Sequence, residues 1–293
     1  MYGQPSSPAR RSGCLGILLG NPRIMGALVL LVMGYFTYMS STREEVNPFT
    51  GEKVRVKLTP DQEVAMGLQS APQMMKEFGG EYREPILANK INEIGARLLR
   101  AKDQIVARRG SKDFNYPFAF HVLDDRKTIN AFALPGGQVF ITRALLEQLP
   151  SEDAVAGVLG HEVGHVLAWH SNKQMAKSGL LQSIAGAAAA ATASERSNGS
   201  AIGQMVGQLL QTRYGREDES QSDRIGVQLL IVAGYKPEAL LDVMKVLGQS
   251  MGGARPPEIL STHPFPETRA KQIDVYIDHF SKDPFGTWTQ GWN

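Results

Sequence analysis

The run His161-Glu162-Val163-Gly164-His165 constrains this 293-residue chain more than any other feature. Four residues advance an α-helix about 40° beyond a full turn, so both imidazoles project from one face and can share one metal ion. Glu162 stands about 100° round from His161, near enough to hold a water on that metal without ligating it. This is the signature of a metal-dependent hydrolase, in which the metal brings the water pKa towards neutrality and the carboxylate takes its proton. Gly164 costs about 1 kcal/mol against Ala inside a helix, which predicts that another element packs closely there.

A catalytic zinc needs a third protein ligand and an open position for water. His170 is half a turn out of phase with His161 on a continuous helix, so it is expected behind the ligands or exposed. The long signature with a third His six residues after the second is excluded, because Ser171 occupies that position. Glu219 and Asp223, again four apart on a predicted helix, supply a better answer. Glu219 would be the third ligand, and Asp223 would accept a hydrogen bond from a ligating imidazole. His121 and His279 have no partner at ligand spacing and receive no function.

The rest of the chain supports a helical domain around a small sheet. Thr59, Pro60 and Gln62 form a capping box that starts a helix ending near Gly79 and Gly80. A second helix is predicted from Pro85 to about Arg108, closed by Gly110 and burying Ile86, Ile91, Ile94 and Leu98. Tyr116 to Leu123 alternates as a strand does, and Thr128 to Leu134 joins Gln138 to Thr142 through Pro135-Gly136-Gly137 as a β-hairpin, giving a small antiparallel sheet. Ser151 then caps a long helix predicted to run through Lys177. The small, apolar stretch from Gly179 to Leu210 reads as a packed hairpin or as a mobile one near the membrane or the cleft. Helices follow from about Arg216 to Ala233, from Pro237 to Gln249, and from the end of the Gly252 to Pro266 loop to about Phe280.

At the N-terminus, Ile24 to Thr42 holds no charge, and its apolar run reaches across a hydrocarbon core of roughly 30 Å. Three arginines precede it, whereas Arg43 follows with Glu44 and Glu45, so the positive-inside rule puts the tail in the cytoplasm and the remaining residues on the far, periplasmic or extracellular, side. No small-x-small cleavage pattern follows the run, and Cys14 is poorly placed for lipidation, so the anchor is expected to be retained. The net charge of +2 belongs to this tail; the remainder carries 27 basic against 29 acidic groups, which does not support nucleic-acid binding. One cysteine excludes an internal disulfide and a cysteine-based zinc cluster. The expected organisation is a tail (1–23), a transmembrane helix (24–42), a linker or short strand (43–58), a catalytic domain (59–283) and a C-terminal tail (284–293).

Taken together, Leu58 to Gly67, Asn130 to Gly137, His161 to His170, Glu219 to Gly226, and Thr262-His263-Pro264 with Pro266 and Arg269 resemble peptidase family M48, the gluzincin zinc metalloendopeptidases. The resemblance implies an α+β fold: a mostly helical, zincin-like metallopeptidase domain with a small antiparallel sheet, here preceded by one transmembrane helix. It implies one Zn2+ per chain held by His161, His165 and Glu219, with Glu162 as catalytic base and Asp223 orienting a ligand. Asn130, Ala131, Phe132 and Ala133 resemble the family's edge strand, on which an unfolded or extended polypeptide would lie. Ser222 departs from the Ala of many relatives, and the single span argues for the periplasmic-type branch over the multi-span prenyl-protease branch.

Tyr214 and Arg269 are candidate oxyanion donors or, equally, structural hydrogen bonders. His263, its backbone restricted by Pro264, is a fourth zinc ligand that keeps the enzyme latent, an oxyanion donor, or a side chain that anchors its loop. The implied function is membrane-anchored proteolysis in envelope protein quality control. The alternative is a latent or chaperone-like binding module with a plugged zinc site. Oligomeric state is not legible.

Overall fold

The computed structural model describes residues 22–112, 115–179, 214–250, 257–263 and 268–287. The Gly179 to Leu210 hairpin therefore lies outside the described residues, apart from Gly179 itself. The chain divides into two units, Met1–Arg43 with Ala176–Asn198 and Glu44–Met175 with Gly199–Asn293. In the first, α1 (Pro22–Ser41) is a 20-residue helix with Leu28, Val29, Val32, Met33 and Phe36 exposed. Among the described residues no helix is long and apolar enough to cross a membrane.

In the second unit, β1 (Arg43–Val46) pairs with β2 (Lys53–Val56), so the segment expected as a linker or short strand is a two-stranded ribbon. It is fastened to the domain: Phe49 enters the main core, Asn47 Nδ2 donates to the Leu167 carbonyl at 2.8 Å, and Asn172 Oδ1 accepts from the amides of Lys57 and Leu58. Helix α2 (Pro60–Glu77) opens on the expected Thr59–Gln62 capping box. Helix α3 (Pro85–Arg109) ends on Gly110 in the left-handed conformation and buries Ile91, Ile94 and Leu98. Ile86 was expected beside them; it is 79% exposed, because the first turn of α3 carries it off the core.

The sheet holds β3 (Ala119–Leu123), β4 (Ala131–Leu134) and β5 (Gln138–Thr142) in the order β3-β5-β4. The β4–β5 hairpin is antiparallel, with Ala131 opposite Ile141 and Leu134 opposite Gln138. The purely antiparallel sheet expected from sequence is corrected to a mixed one, since β3 runs parallel to β5. The connection after β3 carries the chain to the far edge, and the hairpin then returns β5 to the middle. All five residues of β5 are accordingly buried. The hairpin turn needs glycine: Gly136 and Gly137 have φ of 77° and 102°, and a Cβ on Gly136 would lie 2.5 Å from the Val64 Cα in α2.

After α4 (Arg143–Leu146), helix α5 (Glu152–Leu167) begins at Ser151, whose Oγ accepts from the Ala154 amide. It packs against β4, β5, α3, α6 (Arg216–Ala233) and α7 (Ala239–Ser250). The single helix expected through Lys177 is broken after Leu167. Trp169 has φ 60°, and helix resumes from residue 170. A short helix, α8 (Ile259–Thr262), interrupts the expected loop before His263, and α9 (Thr268–Lys282) closes the core with Ile273, Tyr276 and Phe280.

Candidate metal centre

Helices α5 and α6 cross almost backbone to backbone, and the contact brings two four-residue spacings face to face. His161 and His165 project from α5, Glu219 and Asp223 from α6. His161, His165, Glu219 and His263 each offer one ligand atom, all within 4.8 Å of one another and all buried. His161 Nε2 lies 3.0 Å from His165 Nε2, 3.3 Å from His263 Nδ1 and 3.6 Å from Glu219 Oε2. His263, the C-cap of α8, also brings its Nδ1 to 2.9 Å from Glu219 Oε1.

Asp223 accepts from His161 Nδ1 at 2.9 Å, as its spacing predicted. Burial alone would raise the Asp223 carboxyl, but Arg269 and His161 hold it down to about 2, so it is a carboxylate. The proton of His161 is then on Nδ1, and its Nε2 turns a lone pair into the cluster. Glu162 is 1% exposed, and its Oε1 accepts no hydrogen bond. Burial raises the Glu162 carboxyl above its ordinary value, as a proton acceptor near neutrality requires. A lone-pair nitrogen, buried carboxylate oxygens and a Glu162 Oε1 that accepts no hydrogen bond, with His263 Nε2 3.6 Å away, fit a cation. Imidazole and carboxylate donors without thiolate fit zinc.

Arg269 lies between Asp223 and Glu219. Its Nε and Nη2 donate to Asp223 at 2.8 and 2.7 Å, and its Nη1 lies 2.8 Å from Glu219 Oε2. It therefore ties the Glu219 and Asp223 carboxylates of α6 together. Burial pushes the Glu219 carboxyl up, but His263 and Arg269 more than offset this, leaving it below its ordinary value. The Tyr214 hydroxyl meets Ser171 Oγ at 3.1 Å, while its ring stacks on His165 with centroids 4.1 Å apart.

His170 is not on the far face of a continuous helix. The break at Trp169 returns it beneath His165, fully buried, with Nδ1 2.8 Å from His165 Nδ1 and Nε2 2.9 Å from Gln221 Oε1. Desolvation pushes His170 down to about 4. Sequence reasoning read Asn47 only as a breaker and did not single out Gln221, Glu52 or Asn172, whose partners lie in distant segments.

An apolar cavity adjoins His161 and Glu162, walled by Val158, Leu240, Val243, Met244, Leu247 and Ile259. Strand β4 pairs with β5 on one side and, among the described residues, with no strand on the other. Asn130, Ala131 and Phe132 are buried, and Ala133 is half-buried, so what this edge offers is main chain.

The chain is 31% identical over 231 residues to the beta-barrel assembly-enhancing protease of Escherichia coli K12, a match covering 76% of this chain and 45% of that protein. It is 28% identical over 250 residues to the mitochondrial metalloendopeptidase OMA1 of Schizosaccharomyces pombe, covering 83% of this chain and 68% of the relative. The OMA1 of Arabidopsis thaliana is 33% identical over 148 residues, half of this chain and 29% of the relative. The chain thus spans less than half the length of the first of these relatives. Residues 89–277 match the model of peptidase family M48, and with His161, Glu162, His165 and Glu219 gathered as described, the chain belongs to that family.

Proposed function

We propose that this chain is a membrane-anchored zinc metalloendopeptidase that hydrolyses unfolded or extended polypeptides in envelope protein quality control. The observation that carries the reading is the buried convergence of His161, His165 and Glu219 beside Glu162, whose Oε1 accepts no hydrogen bond and lies 3.6 Å from His263 Nε2. The relatives' names, a protease and a metalloendopeptidase, support it. In this reading His161, His165 and Glu219 hold one zinc, and Asp223 orients His161. Zinc, when bound, supplies Lewis acidity to the scissile carbonyl and to the attacking water. Glu162 takes the proton from that water and returns it to the leaving amine. An extended substrate adds to the free edge of β4 along Asn130 to Ala133, and an apolar side chain next to the scissile bond enters the cavity beneath Leu240 and Val243. Digestion of casein or an unfolded outer-membrane protein, with and without a chelator, tests the activity; proteolysis indifferent to metal removal would defeat it.

Anchoring by α1 is supported by its charge-free run and its exposed apolar side chains, with the tail cytoplasmic and the catalytic domain on the far side. Carbonate extraction and protease protection of the full chain test it. A latent state is the second reading, favoured by His263, whose Nδ1 lies within the ligand cluster. As a fourth ligand it would fill the open position until its loop moves.

A further inference from the structure

Glu52, Gln221 and His170 form a line of hydrogen bonds that ends on a metal-binding imidazole. Gln221 Nε2 donates to Glu52 Oε1 at 2.5 Å, Gln221 Oε1 meets His170 Nε2 at 2.9 Å, and His170 Nδ1 meets His165 Nδ1 at 2.8 Å. With both imidazoles neutral, one proton arrangement satisfies every contact. A carboxylate accepts and never donates, so the Gln221 amide turns its NH2 to Glu52 and its oxygen to His170. Facing that oxygen, and with Asp218 Oδ1 3.5 Å from its Nε2, His170 carries its proton on Nε2. Its Nδ1 is then a lone pair, and His165 Nδ1 must be the donor between the two rings. That leaves the lone pair of His165 on Nε2, the nitrogen 3.5 Å from Glu219 Oε1 and 3.0 Å from His161 Nε2. Both inward nitrogens are lone pairs, an arrangement that repels unless a cation lies between them.

The origin of this line is the β1–β2 ribbon, which also grips the end of α5 through Asn47 and the Leu167 carbonyl, two residues before the break at Trp169. We propose that Glu52, Gln221 and His170 are positioning residues that set the tautomer and ring angle of His165, so that the ribbon following the N-terminal helix governs how tightly the metal is held. The proposal rests on the zinc reading above. A ligating histidine commonly donates its second N–H to a carboxylate or a carbonyl. Here an imidazole receives it, and the chosen tautomer has to be imposed from further out.

The test uses the full chain in detergent, stripped of metal, then titrated with zinc against a chromophoric chelator and with Co2+ by absorption spectroscopy. His170→Leu should weaken zinc binding about 10- to 100-fold and alter the Co2+ spectrum. His170→Gln, whose amide oxygen can accept from His165, should recover most of the affinity. Glu52→Ala, at the exposed end, should weaken zinc binding several-fold without changing the melting temperature of the metal-free protein. A folded His170→Leu protein with wild-type affinity and spectrum would overturn the proposal. If that variant does not fold, wild-type affinity in Glu52→Ala overturns it instead. Failure of the wild-type chain to bind zinc would remove the zinc reading, and this proposal with it.

Discussion

Gly164 lies against Ser222 so closely that a Cβ on the glycine would stand 2.7 Å from Ser222 Oγ and 2.8 Å from its carbonyl oxygen. Ser222 Oγ in turn donates to the His161 carbonyl. This crossing of α5 and α6 is what carries His161 and His165 to Glu219. Gly164→Ala gains about 1 kcal/mol of helix propensity but must separate the helices, at a cost of about 1–3 kcal/mol. Thermal denaturation of the metal-free protein should show a net loss; a raised melting temperature would mean that the crossing has slack.

Glu162→Gln should keep zinc and abolish hydrolysis, because Glu162 supplies no ligand atom to the cluster while its carboxylate is the proposed proton acceptor. Metal analysis and a digestion assay on one preparation check both halves. Hydrolysis near the wild-type rate would remove Glu162 from the mechanism.

Glu219→Ala should lose zinc as well as activity, whereas Asp223→Asn should cost about 10- to 100-fold by releasing His161. The Asp223 carboxyl, held down to about 2 in the folded chain, lies below its unfolded value. Its contribution to stability is complete above the usual carboxylate pKa, about 3.9, and is lost as pH falls towards the folded value. Acid denaturation of metal-free protein should therefore steepen below about pH 4 and flatten in Asp223→Asn. Identical acid profiles would show that the Arg269 pair contributes nothing across that range.

His263→Ala should raise basal proteolysis if the imidazole fills the open metal position, since Nδ1 lies 2.9 Å from Glu219 Oε1 and within the ligand cluster. A fall of about 100-fold or more would make His263 an oxyanion donor instead. The initial rate of peptide hydrolysis separates the two.

A chain beginning at Glu44 should fold and bind zinc, because it retains the ribbon that places Phe49 in the core and Asn47 on Leu167. Beginning at Thr59 should lower both stability and zinc affinity. Equal melting temperatures and equal zinc binding for the two would show that the ribbon is dispensable.

The features legible in the sequence were those made by atoms within a turn or two of one another. The Thr59–Gln62 box, the Ser151 cap, the Gly110 stop and the glycine turn after Pro135 all formed as read, because each satisfies its own backbone groups locally. The spacings of His161 with His165 and of Glu219 with Asp223 were legible for the same reason, since helical geometry alone puts each pair on one face.

Tertiary packing decided the rest. Nothing near β3 in sequence says that it will run parallel to β5, because that choice was made by where the β4–β5 hairpin could return. The positive φ at Trp169 brought His170 under His165, although an unbroken helix would have carried it to the opposite face. Glu52 reaches Gln221 across 169 positions, and Asn47 reaches Leu167 across 120. Local hydrogen bonding and helical period therefore placed each pair of proposed ligand residues on one helix face. The groups that contact them from behind come from distant segments, and they meet only once burial of the core has removed water as a competing partner.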